Sequence, residues 1–86
     1  MYTPALIEFL GTALLIGAIA FTSSPVLVVA AFALAIGFGS KVSGGHFNPA
    51  VTGWHLMKGH ISQSKALTYM IAQLSAAVFV YLMGSL

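Results

Sequence analysis

Apolar residues run along this chain in long blocks, and the polar residues that interrupt them fall in clusters. Pro4 to Phe21 is the first block, with Gly11 and Gly17 inside it, and it has about the length that a membrane-spanning helix requires. Thr22-Ser23-Ser24-Pro25 follows as a compact turn. Val26 to Gly39 is the second block; it is short for a span unless Ser40 to Val42 carry it to the interface. A third helix opens at Ser62 to Lys65, with Ser62 or Ser64 as its cap, and runs to Leu86. Tyr69 and Tyr81 fall in it where aromatic residues can anchor near membrane interfaces. The pattern predicts an all-α membrane protein with three transmembrane helices, at about 4–21, 26–42 and 64–86, filling the chain as one unit, 1–86.

Between the second and third blocks lies a segment of another kind, Ser43-Gly44-Gly45-His46-Phe47-Asn48-Pro49-Ala50-Val51-Thr52. Two glycines permit close backbone approach or positive φ, and Pro49 suits the first position of a helix, where its missing N–H would be unpaired anyway. Asn48 is therefore an N-cap, whose side-chain oxygen accepts from a first-turn N–H and whose amide NH2 stays free. Val51 to Met57 continues as a short apolar helix that stops at Lys58-Gly59. At about 1.5 Å per residue it covers about a third of a hydrocarbon core roughly 30 Å thick. The segment 43–58 is thus expected to be one re-entrant loop and half-helix.

Composition agrees with a lipid environment: 59% of residues are hydrophobic, 5% are charged and none is cysteine. Lys41, Lys58 and Lys65 against Glu8 give a net charge of +2, too few cations for nucleic-acid binding. The same charges report topology. All three lysines lie at or between the facing ends of the second and third spans, so the positive-inside rule places that connection and the N-terminus in the cytoplasm and the C-terminus outside. The N-terminal block lacks a basic leader region and carries Glu8 within its apolar run, so it is read as a retained span. No nucleophile, base and orienter can be assigned, and an enzyme is not expected.

Glu8-Phe9-Leu10-Gly11-Thr12, the ten-residue loop from Ser43 to Thr52, and Tyr69 to Ala77 with Gln73 together resemble the N-terminal half of an aquaporin, a member of the major intrinsic protein family. The resemblance covers essentially the whole chain. It implies half of the aquaporin-like fold, in which two inverted halves each contribute three helices and a half-helix that meet tip to tip at the midplane. It implies passive transport of water or small neutral solutes once a second half is present, as a separate chain or as an inverted copy, within a lipid bilayer and with no cofactor. The other class to weigh is a non-conducting remnant or a small regulatory membrane protein. This chain has no arginine, the residue that the family's second half places in its narrow filter.

Carried onto this chain, the resemblance makes Asn48 the donor to a passing water at the half-helix tip, beside Pro49 and Ala50, where the helix's partial positive end also points. Gly44, Gly45 and His46 would line the cytoplasmic vestibule with carbonyl acceptors, a non-helical stretch tolerated at membrane depth only beside a cavity or within protein. Glu8, an ionisable group inside a span, is expected to accept from loop N–H groups, and Gln73 to support the same loop. His46, His55 and His60 lack one-face ligand spacing and any carboxylate or thiolate partner nearby in sequence, so a metal site is not expected. Ala13, Gly17, Ala72 and Ala76 are read as helix-packing positions. Whether Val28 or Phe32 takes the filter position of the second span stays open.

Overall fold

The computed structural model describes residues 2–86 and contains four helices, α1 (Thr3–Phe21), α2 (Pro25–Ser43), α3 (Pro49–Met57) and α4 (Gln63–Gly84), with no strand among the described residues. Three of them, α1, α2 and α4, are long and apolar enough to cross a membrane. The 19 residues of α1 and of α2 each amount to about 28 Å of helix, close to the thickness of a hydrocarbon core. The nine residues of α3 amount to less than half of that.

Local chemistry sets the helix ends. Pro25 is the first residue of α2, and Ser24 caps it by accepting from the Leu27 N–H at 3.3 Å. The polar tail Ser40 to Ser43 is helical, so α2 is as long as α1, and it ends at Gly44, whose left-handed φ of 90° lets its N–H reach the Ser40 carbonyl. Ser62 caps α4 through the Lys65 N–H.

Helix α1 is the centre of the arrangement. It packs against both α2 and α4, and α3 packs against α4. Helix α2 does not pack along α3 or α4 and meets α4 at its C-terminal end, where Tyr69 bonds Ser43, so the bundle is open along one side. Lipid removes the hydrophobic drive for helices to associate, and small residues and polar side chains must hold them instead. Ala31, Ala35, Ala66 and Ala76 are accordingly among the buried residues, while Val29, Leu34, Leu67 and Leu74 face outward. Of the four small positions expected to pack, Ala76 is fully buried, but Gly17 has nothing within 4 Å of where a Cβ would stand.

The closest approaches are instead at Gly11 on α1 and Gly39 on α2. The Phe47 ring lies between them: a Cβ on Gly11 would overlap its Cε1, and one on Gly39 would stand 2.5 Å from its Cζ. Phe47 is 2% exposed, so its ring is a peg that fixes the loop before α3 against the first two helices. Gly11→Ala is therefore expected to lower stability in detergent by about 1–3 kcal/mol, as overpacking does. Gly17→Ala, on the same helix with open space around it, should leave the thermal midpoint within about a degree or raise it. Equal loss in both variants would mean that the ring is not held there.

Candidate functional site

The loop of residues 44–48 connects two helices, and its buried His46 and Phe47 N–H groups, outside any helix ladder, need acceptors from elsewhere. Glu8, fully buried on α1, supplies them. Its Oε2 accepts from the His46 N–H at 3.0 Å and from the Ser43 hydroxyl at 2.7 Å; its Oε1 accepts from the Phe47 N–H at 2.7 Å and from Gln73 Nε2 at 2.9 Å. Each carboxylate oxygen thus meets two donors, and one side chain ties together α1, the end of α2, the loop and α4.

The remaining members extend this network. Ser43 Oγ accepts from the Gly45 N–H at 3.2 Å, and the Tyr69 hydroxyl donates to the Ser43 carbonyl at 2.6 Å. Gln73 Nε2 donates to Thr52 Oγ1 at 2.8 Å as well as to Glu8, which reaches the first turn of α3. His46 Nδ1 lies 2.9 Å from Thr52 Oγ1, its ring is stacked on that of His55 at 4.4 Å, and Tyr69 meets it edge-on. Burial holds the His46 imidazole below the usual histidine range, an effect that the Glu8 charge partly opposes. Tyr69, expected near a membrane interface, is instead fully buried with its hydroxyl in the loop, because a buried phenol needs a partner and the Ser43 carbonyl is free to be one. Tyr81 is 74% exposed.

The loop's backbone is strained as well as anchored. Gly44, Gly45 and Phe47 all have positive φ, the last at 54°, a region that a bulky L-residue adopts only when its surroundings over-determine it. Two constraints do so here: the Glu8 bond to the Phe47 N–H and the ring wedged at Gly11 and Gly39. Asn48 follows in extended conformation as the N-cap of α3, with Oδ1 accepting from the Ala50 N–H at 2.7 Å and Pro49 in the first turn. Among the described residues Asn48 Nδ2 has no protein partner.

Asn48 and His46 form part of the wall of an open groove of about 280 Å³, together with Leu15, Val28, Val29, Phe32, Phe47 and Val51. Both candidate filter positions, Val28 and Phe32, face this groove. Gly44, Gly45, Pro49 and Ala50 lie on the loop and at the start of α3 but outside that wall. At the far end of α3, the left-handed turn at Gly59 folds His60 back so that its Nδ1 lies 2.8 Å from His55 Nδ1, with Trp54 edge-on to both rings. Spacing along the helix alone did not reveal that pair. No group of three or more His, Cys, Asp or Glu side chains is placed to hold a metal ion among the described residues.

Comparison with known proteins gives a consistent answer. A family model described as Major intrinsic protein matches residues 2–84. Aquaporin TIP4-2 of Zea mays is 52% identical over 54 residues, a match that covers 58% of this chain and 21% of that protein. A glycerol uptake facilitator protein-like 6 of Lactiplantibacillus plantarum is 41% identical over 83 residues, covering 85% of this chain and 38% of that protein. The chain thus spans well under half the length of these relatives. No solved structure matches it.

Replacing Glu8 tests the loop directly. Glu8→Leu removes the acceptor of the His46 and Phe47 N–H groups, and each buried donor left unpaired costs about 1–3 kcal/mol. Amide hydrogen exchange at His46 and Phe47 should rise by at least about tenfold, while amides in the middle of α1 stay protected. Unchanged exchange at the two loop amides would remove Glu8 from its supporting role.

Proposed function

The chain belongs to the major intrinsic protein family, and on that premise we propose that it forms one half of a transmembrane channel that lets water or small neutral solutes pass down their gradient. The observation that carries this reading is Asn48: a cap residue at the start of a short helix, its amide NH2 without a protein partner, on the wall of a groove whose other lining is mostly apolar. Such an amide donates to the oxygen of a passing molecule, and the partial positive end of α3 favours the same orientation. Family members are channels rather than enzymes, and the chain needs no cofactor for this role.

In this reading α1, α2 and α4 span the bilayer, the loop 44–48 is re-entrant and α3 is the half-helix. Glu8 and Gln73 hold the loop; Asn48, with Pro49 and Ala50 at the helix start, forms the tip; Gly44, Gly45 and His46 form the approach to it. The groove is open on the side where α2 does not pack along α3 or α4, so a closed pore needs a second half. That half is the continuation of a longer polypeptide, a separate chain or an inverted copy, in the same lipid bilayer. The open side favours one further reading, a non-conducting remnant or a subunit that regulates a complete channel.

Osmotic swelling of proteoliposomes separates these readings. The purified chain alone is expected to raise water permeability little above lipid, and co-reconstitution with a second half carrying the filter arginine should raise it severalfold. A full rate from the chain alone would mean that copies of it complete the pore. No rate under either condition would favour the non-conducting reading.

Orientation follows from charge: Lys41 in the last turn of α2, Lys58 after α3 and Lys65 in the first turn of α4 all cluster at the connection of the second and third spans, which favours a cytoplasmic N-terminus and an outside C-terminus. The chain has no cysteine, so Met57→Cys, at a position 81% exposed, gives a single reporter. Labelling is expected from the cytoplasmic face alone; comparable labelling from both faces would establish dual insertion and make an inverted homodimer the active form.

A further inference from the structure

The protons of the network around His46 can be assigned by accounting for donors and acceptors. Gln73 Nε2 carries two, one directed to Glu8 Oε1 and one to Thr52 Oγ1. Thr52 Oγ1 therefore already accepts one bond. Its contact with His46 Nδ1 at 2.9 Å contains one proton, which belongs either to the hydroxyl or to the ring.

If it belonged to the ring, the Thr52 hydroxyl proton would need another acceptor, and none is in place. Thr68 turns its hydroxyl to the carbonyl four residues earlier, at 2.9 Å, but Thr52 makes no such bond. Thr52 is fully buried, so water cannot take the proton either. The alternative satisfies every group: Thr52 donates to Nδ1, Nδ1 is unprotonated, and the neutral imidazole carries its hydrogen on Nε2. Burial favours that neutral ring.

Nε2 is then the informative atom. It has no protein partner, and it is absent from the buried unpartnered polar atoms, which are Thr12 Oγ1 and Gln73 Oε1. It is accessible on a residue that forms part of the groove wall beside Asn48. We propose that Thr52 is a positioning residue whose hydroxyl fixes His46 as the Nε2–H tautomer, so that the groove offers a permeant molecule a second hydrogen-bond donor next to Asn48. Two side-chain donors at this point favour molecules that bind through an oxygen lone pair, such as water or an alcohol. They oppose ammonium, which has no lone pair, and hydronium, whose lone pair accepts a hydrogen bond poorly. The assignment of the proton rests on the network alone; its consequence for permeation rests on the channel reading.

The test has two arms accordingly. Nitrogen-15 NMR of the histidine-labelled chain in bicelles near pH 7.5, with His46 assigned against His46→Gln, reads the tautomer without any transport. The expected spectrum has a protonated Nε2 and an unprotonated Nδ1 shifted by an accepted hydrogen bond. Thr52→Ser should keep that spectrum, and Thr52→Val should move the Nδ1 resonance toward that of an unbonded ring. A protonated Nδ1 in the native chain, a doubly protonated ring, or a folded Thr52→Val variant with an unchanged Nδ1 overturns the assignment. In the completed channel, the ratio of methylammonium to water permeability should rise at least threefold in Thr52→Val and stay at the native value in Thr52→Ser. An unchanged ratio with the predicted NMR spectrum refutes the permeation consequence and leaves the tautomer standing. Absence of any permeability, with that spectrum intact, overturns the channel reading instead.

Discussion

A buried backbone that leaves helical conformation has N–H groups that neither a helix ladder nor solvent satisfies, and the Glu8 carboxylate meets that constraint for this chain. Its two oxygens receive four donors: two loop amides, a hydroxyl from the end of α2 and an amide from α4. Charge-assisted bonds of this kind are about twice as strong as neutral ones. A neutral acceptor such as a glutamine side chain offers one oxygen, and its NH2 would face donors. The need for four acceptor positions in one fully buried place explains why the single acidic residue of the chain stands in its central helix, where a charge is otherwise most costly.

Hydrogen bonds alone would not hold the loop in one conformation, because Phe47 has a φ of 54° and residues of its size cost about 1–3 kcal/mol there. Packing supplies the second constraint. The ring enters a space that exists only because Gly11 and Gly39 lack Cβ atoms, so the glycines of α1 and α2 act on the backbone of a loop far from them in sequence. With the amide fixed by Glu8 and the ring fixed by the two glycines, the direction of the next residue, Asn48, is determined. The free amide at the groove is the end of a chain of constraints that begins in α1.

What could be read from the sequence follows the range of each interaction. The Asn48-Pro49 helix start involves residues two to four apart, and so its capping chemistry was legible locally. Glu8 and Gln73 were legible as polar groups in apolar helices, since a buried polar group implies a partner even when the partner is unknown. Ser43, Thr52 and the buried place of Tyr69 were not, because a hydroxyl or phenol in a helix has bland alternatives: a cap, a bond to its own backbone or an interface. The bonds that place them join residues 35 positions apart for Ser43 and Glu8, 26 for Tyr69 and Ser43, and 21 for Thr52 and Gln73. Gly11 and Gly39 likewise read as ordinary small residues until the position of the Phe47 ring is known. The His55–His60 contact depends on the turn at Gly59, which breaks the helical spacing on which a ligand search relies.

These observations also explain why stability and candidate function are hard to separate here. With lipid on the outside and little drive for apolar faces to meet, the relative positions of the helices depend on small-residue contacts and on polar bonds. Each of the four helices commits polar side chains to the same place: Glu8 from α1, Ser43 from α2, Thr52 from α3, and Gln73 and Tyr69 from α4. The cluster that sets the register of the bundle is thus the cluster that aims the groove-facing donors. Moving one helix along its axis by a turn, about 5.4 Å, would break several of these bonds at once. With one side open, the bundle keeps a defined groove because these bonds already fix the walls it has.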